Sequence, residues 1–375
     1  MDCPYVPSIE YGDFSLRLHE KAGTQRIPLI GSLELGYRCN LRCQHCYVAH
    51  AHTGLPGRQE LTAAEIQRIL DEVVDEGCLW FLLTGGEPLL RRDFPEIYLY
   101  AKRKGLLLNL FTNGTLLTPQ LADLLAEWRP FNIEITLYGA TQETYERVTG
   151  IPGSHAHAMR GIELLLERNL PLKLKTMLMT LNIHELEAMK AFTRNLGLDF
   201  RYDAMLHARL DGSHKPHELR LSPQQVVQLD VEDPERMRSW HEFCDLFVAP
   251  PPDTPYLYRC GAGIKSFHID PYGQLSLCIT SREPSYDLRQ GSFHEGWVDF
   301  LYQARYEPLG ESYACAECAL KSLCGQCPGL ARLEAGDPKA KLEYHCQVAH
   351  LRARAFGIAE ELMMENQPLD RLEVG

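Results

Sequence analysis

The chain of 375 residues lacks the features that would place it in a membrane or on a nucleic acid. No apolar run reaches the roughly 20 residues that span a bilayer. The N-terminal residues, Met1 to Pro4, have neither the basic nor the apolar region of a signal peptide. The net charge of −12 argues against a nucleic-acid surface. These absences predict a cytoplasmic protein that binds neither membranes nor nucleic acids.

Cysteine is missing from residues 79–243, although the chain contains 13 cysteines in all. Three lie between residues 39 and 46, and seven lie between residues 260 and 346. Disulfides do not persist in a reducing compartment. We therefore expect most of these thiols to be metal ligands or buried apolar groups. Cys3 and Cys78 have no partner spacing, and we expect Cys78 to lie in the core.

Short apolar runs alternate with amphipathic stretches between about residues 30 and 210. The predicted strands occupy residues 30–35, 80–84, 106–112, 132–138, 172–179 and 199–206, and the predicted helices occupy roughly residues 62–77, 95–104, 118–127, 155–169 and 184–196. Thr62, with Glu65 three residues later, predicts a capping box at the first of these helices. The alternation is typical of a parallel sheet or an open barrel, whose ligands bind at the carboxyl ends of the strands.

A loop with three cysteines follows the first predicted strand. Cys39, Cys43 and Cys46 have the spacing C-x3-C-x2-C, which suits a [4Fe-4S] cluster with one iron left open for a small molecule. The alternative is a zinc site. Zinc prefers four ligands in closed structural sites, and His45, His50 or His52 could supply the fourth.

A second motif, Gly85-Gly86-Glu87-Pro88, follows the second predicted strand. We predict that the two glycines let the backbone approach a ligand closely. The Glu87 carboxylate can accept a hydrogen bond from an ammonium group. Alone, this motif is an ordinary turn between a strand and a helix. Together with the cysteine loop it indicates a cofactor site.

These two motifs make residues 30 to about 210 resemble a radical S-adenosylmethionine (SAM) domain. The resemblance implies that the three cysteines bind the cluster, that Gly85 to Pro88 bind the SAM amino group and that His45 packs near the adenine. It also implies an α/β fold: a partial (β/α)6 barrel followed by a small cysteine-rich Fe–S domain. The ends of the third and fourth strands resemble SAM-lining segments, with Thr112, Asn113, Gly114, Thr136, Leu137, Tyr138 and Gly139.

The resemblance also implies the chemistry. SAM binds the open iron, and its reductive cleavage yields a 5′-deoxyadenosyl radical that takes a hydrogen atom from an unreactive carbon. The cofactor supplies this reactivity, while the protein orients the reactants and excludes water and oxygen. The sequence identifies no catalytic acid or base.

The second group of cysteines is too large for one metal ion, and two sites are the economical interpretation. A zinc ribbon at the two C-x2-C pairs is the alternative. After a radical SAM domain, this region resembles a SPASM domain, which carries two auxiliary [4Fe-4S] clusters. The resemblance assigns one set of cysteines to the outer cluster, namely Cys315, Cys318, Cys324 and Cys346. It assigns a second set to the inner cluster, namely Cys260, Cys278 and Cys327.

The inner set has three thiols, so its cluster has either an open iron or a further ligand. Cys244 is a candidate for that ligand, although a buried apolar thiol is the simpler interpretation. An open iron could bind a substrate thiolate or amide, whereas a fully ligated cluster could only pass electrons.

The sequence predicts five regions along the chain. A proline-rich stretch between Val248 and Tyr256 reads as an extended linker. The predicted regions are an N-terminal segment at 1–29, the radical SAM barrel at 30–235, a linker at 236–259, the SPASM domain at 260–348, and a C-terminal helix and tail at 349–375.

The combination resembles enzymes that modify peptides, so we expect a precursor peptide as substrate. Residues 1–29 are too short for a leader-binding domain, which would then be a separate protein. A flavodoxin or ferredoxin would supply electrons. Three alternatives stay open: a sulfatase maturase, a tetrapyrrole decarboxylase and a non-enzymatic Fe–S or zinc scaffold. Several polar residues could contact substrate at the barrel mouth or interior, namely Tyr202, Asp203, His207, Arg209, Lys173 and Lys175.

Overall fold

The structure is a computed structural model that describes residues 10–48, 58–247, 255–310, 313, 315–316 and 318–357. Cys3, His50 and His52 lie outside the described residues, as does most of the proline-rich stretch. Cys244 lies within a described helix, but its side chain is outside the description.

The elements alternate as the sequence predicts. The strands are β1 Ile30–Glu34, β2 Trp80–Thr84, β3 Leu107–Thr112, β4 Asn132–Thr136, β5 Leu172–Met177, β6 Phe200–Asp203, β7 Ser266–Ile269, β8 Gln274–Ser276 and β9 Tyr286–Asp287. The first helices are α1 Tyr11–Gln25, α2 Ala63–Asp75, α3 Phe94–Arg103, α4 Pro119–Glu127, α5 Gln142–Thr149, α6 Ser154–Glu167 and α7 Leu186–Asn195. The later helices are α8 Pro223–Glu232, α9 Pro234–Phe247, α10 Phe293–Glu295, α11 Leu301–Arg305, α12 Lys321–Cys324, α13 Pro328–Ala335 and α14 Glu343–Ala355.

The nine strands form one sheet in the order β6-β5-β4-β3-β2-β1-β7-β8-β9. Strands β1 to β6 pair in parallel, each with the next. All six predicted strands are present, and each ends within a few residues of its predicted limit. The capping box at α2 is confirmed, because the Thr62 side chain accepts from the Glu65 N–H and Glu65 reaches back to the Thr62 N–H.

Four helices before residue 260 were not predicted, namely α1, α5, α8 and α9. Helix α1 buries only Ala22, so its sequence carries a weak apolar stripe. It is held instead by polar and aromatic contacts with Trp80. The Trp80 indole N–H donates to the Tyr11 hydroxyl at 3.1 Å, and His19 stacks on the indole at 5.1 Å.

The cysteine-rich region continues the sheet of the barrel. Strand β7 pairs in parallel with β1, with Ser32 opposite His268. Strands β8 and β9 then add in antiparallel fashion. Strands on both sides of residue 260, where we predict a domain boundary, therefore belong to one sheet. The first strand after that residue, β7, lies directly against β1.

The two faces of the sheet differ in chemistry. One face packs under the helices and is apolar, with Leu110, Ile133 and Leu174 fully buried in the main core. Register partners in a sheet share a face, so the opposite face carries Phe111 and Glu134. That concave face is polar along several strands. In the described part of the chain, no helix is long and apolar enough to cross a membrane.

Candidate active site at the carboxyl ends of the strands

The three cysteines of the first motif lie in the loop after β1, and each is partly buried. The loop turns tightly, since the Cys46 N–H donates to the Cys43 carbonyl at 3.1 Å. The Cys39 sulfur accepts from the Leu41 N–H at 3.4 Å and lies 3.8 Å from the Asn113 amide nitrogen. These donors are ready to stabilise a thiolate.

The thiols fit an iron–sulfur cluster better than a single zinc ion. Burial raises the pKa of Cys39 to about 12, so a bound cation must displace its proton. Among the described residues, no three cysteine, histidine or carboxylate side chains are grouped closely enough to hold one metal ion. A [4Fe-4S] cluster binds each thiolate to a different iron, and its cysteines can therefore lie farther apart than the ligands of one zinc ion.

The two glycines of the second motif lie against the cysteine loop. A Cβ on Gly86 would lie 2.3 Å from the Tyr37 carbonyl oxygen, and one on Gly85 would lie 2.4 Å from the Gly36 oxygen. The Gly86 N–H donates to the Gly36 carbonyl at 2.8 Å. We predicted that these glycines make room for a ligand. The backbone that approaches them here is that of residues 36–38, so they join the two loops.

Glu87 lies beneath this junction and is almost fully buried. Its carboxylate accepts from the Thr112 hydroxyl at 2.7 Å, from the Asn113 N–H at 2.7 Å and from the Leu89 N–H at 3.0 Å. Burial nevertheless raises the pKa of Glu87 to about 7. The group therefore gains from a cationic partner, as an ammonium ligand would be. Pro88 follows at the start of a short turn.

A polar network joins the end of β3 to the cysteine loop. The Asn113 amide donates to the Asn40 side-chain oxygen at 2.9 Å, and the Asn40 amide donates to the Thr115 hydroxyl at 2.8 Å. The Thr115 hydroxyl in turn donates to Asn113 at 2.6 Å. The sequence predicted Asn113 as a site residue but did not identify Asn40 or Thr115, whose roles depend on two loops meeting.

His45 and Tyr138 form an aromatic wall beside the cysteines. Their rings lie 5.3 Å apart, and the Tyr138 ring lies 5.6 Å from that of Tyr145. Burial lowers the pKa of His45 to about 4, so the imidazole is neutral. Its Nδ1 atom is buried without a hydrogen-bond partner among the described residues. A wall with one unsatisfied nitrogen suits a flat, polar ring such as adenine.

The cysteines after residue 260 fall into two groups. Four of them line one partly enclosed cavity together with Lys321 and Lys341, and these are Cys315, Cys318, Cys324 and Cys346. Burial raises the pKa of Cys327, and the nearby Cys278 and Cys260 raise it further. The structure thus places four cysteines around one cavity, and Cys278 and Cys260 near Cys327.

Local hydrogen bonds position two cysteines of the inner set, Cys327 and Cys278. The Cys327 sulfur accepts from the Leu330 N–H at 3.4 Å, at the start of α13. The Cys278 sulfur accepts from the Ser281 N–H at 3.3 Å. Cys260 is exposed. Cys78, in contrast, is buried in the core beneath α2, as the sequence predicted.

The other polar candidates divide between the two faces of the sheet. Tyr202 donates to the Leu229 carbonyl at 3.3 Å and packs against α8, away from the barrel mouth. His207 lies near Tyr47, with ring centroids 6.1 Å apart. The positive charge of Arg209 acts on the Cys46 thiol. The Asp203 carboxylate accepts a hydrogen bond from the Met205 N–H at 2.8 Å, within the loop that follows β6.

Comparison with known proteins agrees with this site. The model of the radical SAM superfamily matches residues 33–193. The mycofactocin maturase MftC of Mycobacterium ulcerans is 30% identical, over 79% of this chain and 82% of that protein. The AdoMet-dependent heme synthase of Oleidesulfovibrio alaskensis is 33% identical, over 78% of this chain and 81% of that protein.

The fold is similar to that of Streptococcus suis SuiB bound to its precursor peptide SuiA. The TM-score is 0.66 at 17% identity, covering 92% of this chain and 84% of SuiB. The chain belongs to the radical SAM superfamily. It is therefore a radical SAM enzyme, with a [4Fe-4S] cluster and SAM as cofactors. The predicted fold, a partial (β/α)6 barrel followed by a cysteine-rich region, is confirmed.

Proposed function

We propose that this chain modifies a ribosomally made precursor peptide at an unreactive C–H bond. When bound, the cluster and SAM supply a 5′-deoxyadenosyl radical for this step. Cys39, Cys43 and Cys46 hold the cluster in this proposal. Glu87, with Thr112 and Asn113 behind it, receives the SAM ammonium group, while His45 and Tyr138 contact the adenine. The backbone of the Gly85 to Pro88 motif shapes this pocket.

The proposal includes two auxiliary [4Fe-4S] clusters in a SPASM domain. The observation that carries it is the cavity shared by the four cysteines of the outer set. Lys321 and Lys341 line the same cavity and would offset the negative charge of four thiolates. The inner set of three leaves one iron for a further ligand. Strand β7 of this region pairs directly with β1, so the auxiliary region lies beside the strand that precedes the cysteine loop.

A peptide substrate is supported by the similarity to the mycofactocin maturase and by a fold shared with a precursor-peptide complex. The partners that follow are a precursor peptide, a separate leader-binding protein and an electron donor such as flavodoxin or ferredoxin. A reducing cytoplasm is the compartment that suits such clusters.

Haem synthesis is the second candidate, because one relative at 33% identity is a heme synthase. Such an enzyme would oxidise propionate side chains of a tetrapyrrole and would need no peptide. The two functions can be distinguished by mass spectrometry, because one changes the mass of a peptide and the other changes the mass of a porphyrin.

The experiment is anaerobic reconstitution followed by two assays. About twelve irons per chain are expected for three clusters. The enzyme is then coexpressed with each short open reading frame beside its gene, and the peptides are weighed by mass spectrometry. A mass change that requires Cys39, lost in Cys39→Ala, supports the proposal. Loss of carbon dioxide from a propionate-bearing porphyrin, with every peptide unchanged, would establish the second candidate instead.

A further inference from the structure

The concave face of the sheet carries a charged cluster that the proposed cofactor site does not use. Lys175 on β5 lies 3.0 Å from a Glu134 carboxylate oxygen on β4. Arg201 on β6 also pairs with Glu134. The Asn132 amide lies 3.3 Å from the second Glu134 oxygen. One carboxylate therefore faces two cations, and the cluster has one positive charge to spare.

This cluster lies close to the cofactor pocket. The Lys175 ammonium nitrogen is 3.0 Å from the centroid of the Phe111 ring, and the Arg201 guanidinium is 5.9 Å from it. Lys175 lies opposite Thr136, the last residue of β4, and the Leu137 N–H donates to the Lys175 carbonyl at 2.8 Å. Tyr138 of the aromatic wall directly follows Leu137, so the spare charge lies beside the end of the strand that leads to this wall.

Burial of Lys175 and Glu134 makes a charge on either side chain unfavourable unless an opposite charge lies beside it. The Lys175 side chain is 19% exposed and that of Glu134 is 11% exposed. Burial lowers the pKa of Lys175 to about 8, although Glu134 opposes this effect. Burial also opposes ionisation of Glu134, but Lys175 and Arg201 outweigh it and lower the Glu134 pKa. Glu134 is thus ionised, and Lys175 and Arg201 both pair with the same one of its carboxylate oxygens.

The Arg201 guanidinium has N–H donors available for a further hydrogen-bond partner. Its side chain is 60% exposed, and within the described part of the chain Glu134 is its only carboxylate partner. A guanidinium has five N–H donors and binds a carboxylate through two parallel hydrogen bonds. A second carboxylate could therefore bind Arg201 and Lys175 beside Glu134.

We infer that Arg201 and Lys175 bind an acidic side chain of the peptide substrate and so determine which residue reaches the radical. This inference rests on the proposed function and names the chemistry that the peptide must present. An aspartate or glutamate close in sequence to the modified residue would be required. The pair are specificity residues, not catalytic residues.

The chain offers a matched control. Lys173 lies two residues before Lys175 on the same strand and the same face. It is 47% exposed and already pairs with the single carboxylate of Asp199 at 2.7 Å. Lys173 lies opposite Glu134 in the strand register, but its ion pair is with Asp199. Lys173→Met therefore removes the same charge as Lys175→Met, close to Glu134, without removing one of the two ion pairs described for Glu134.

The test uses the reconstituted enzyme with SAM and a displayed library of random peptides of about a dozen residues. Displayed peptides have no free C-terminal carboxylate, so a preference reports side chains. We expect the retained peptides to be enriched in Asp and Glu over Asn and Gln. Enrichment should disappear in Arg201→Gln and Lys175→Met and persist in Lys173→Met. To the unmodified enzyme and to Lys173→Met, a selected peptide should bind about tenfold more tightly than its amide isostere. This difference should be lost in Arg201→Gln and Lys175→Met.

Two results would overturn the inference, and they can be distinguished. Peptides retained without acidic preference, or with a preference that survives in Arg201→Gln, would contradict the recognition but leave the peptide function standing. Retention of no peptide, with tight binding of a propionate-bearing porphyrin, would remove the peptide function itself. Iron content equal to that of the unmodified enzyme shows that each variant is folded.

Discussion

The Arg282 guanidinium binds both oxygens of the Glu34 carboxylate, at 2.8 and 2.9 Å, across 248 residues of sequence. Glu34 ends β1 and has no solvent exposure. The Tyr47 hydroxyl, next to Cys46, donates to the same carboxylate at 3.0 Å. The Arg282 Nε atom donates to the Ile279 carbonyl, one residue after Cys278, at 2.9 Å. One buried ion pair therefore connects the first cysteine loop to the cysteine-rich region.

Removing Arg282 should destabilise the whole protein. Burial opposes ionisation of Glu34, but Arg282 outweighs it and lowers the Glu34 pKa to about 2. In Arg282→Met the carboxylate is left buried without its cation, which costs about 3–5 kcal/mol. Urea unfolding followed by tryptophan fluorescence measures the loss. Arg160→Met is the control, because Arg160 pairs with Glu163 at the surface and such pairs contribute less than about 1 kcal/mol. Equal midpoints for the two variants would contradict the prediction.

A methyl group at Gly86 should release the first cluster. The new Cβ would lie 2.3 and 2.4 Å from the Tyr37 and Arg38 carbonyl oxygens, and both belong to backbone that cannot turn aside. The cysteine loop must move, so we expect Gly86→Ala to lose about four of its irons. Iron analysis after reconstitution measures this. Gly23→Ala, where no atom lies within 4 Å of the new Cβ, should keep them all. A full iron content in Gly86→Ala would show that the loops do not depend on this contact.

SAM affinity should depend on pH through Glu87. Its pKa is raised to about 7, so the carboxyl group is mostly neutral at pH 6 and mostly ionised at pH 8. The ionised form attracts the SAM ammonium group, and affinity should therefore increase about tenfold from pH 6 to pH 8.

Glu87→Gln provides the comparison for that titration. The amide keeps the size of the side chain but cannot ionise, so binding should be weak and almost independent of pH. Equilibrium dialysis with labelled SAM under anaerobic conditions measures both proteins. A parallel pH profile in the variant would assign the titration to another group.

Cys324 and Cys78 should differ in their effect on iron content. Cys324 shares its cavity with three other cysteines, so Cys324→Ala should lose about four irons and keep SAM binding. Cys78 lies in the core, with its thiol 3.8 Å from the Leu29 carbonyl oxygen. Cys78→Ala should keep all its iron and lose only packing energy. An unchanged iron content in Cys324→Ala would contradict the outer auxiliary cluster.

Much of the barrel was predictable because its signals are local. The six parallel strands read as short apolar runs, and the helix α2 has its capping box in sequence. Helix α1 was not predictable in this way. Its contact with Trp80 joins residues far apart in the chain, and its own sequence buries only Ala22.

The candidate site divides similarly. Cysteine spacing and the Gly85 to Pro88 motif are contiguous patterns, so the sequence identified them directly. The hydrogen-bond partners of Glu87 and the network of Asn40 with Thr115 depend on separate loops meeting in space. No local sequence pattern predicts these contacts. The close approach of the glycine pair to residues 36–38 also required the tertiary structure, because the atoms that a side chain would meet belong to another loop. The predicted approach of these glycines to a ligand stays a prediction.

The sequence by itself determined the chemistry of this protein, because the spacing of three thiols and the alternation of strands with helices are set by neighbouring residues. Only the tertiary structure decided which residues act together. It paired Glu34 with Arg282, placed four cysteines around one cavity and placed Lys175 and Arg201 around one carboxylate. These arrangements depend on the path of the chain through space, because the free energy of burying a charge is set by whatever lies opposite it.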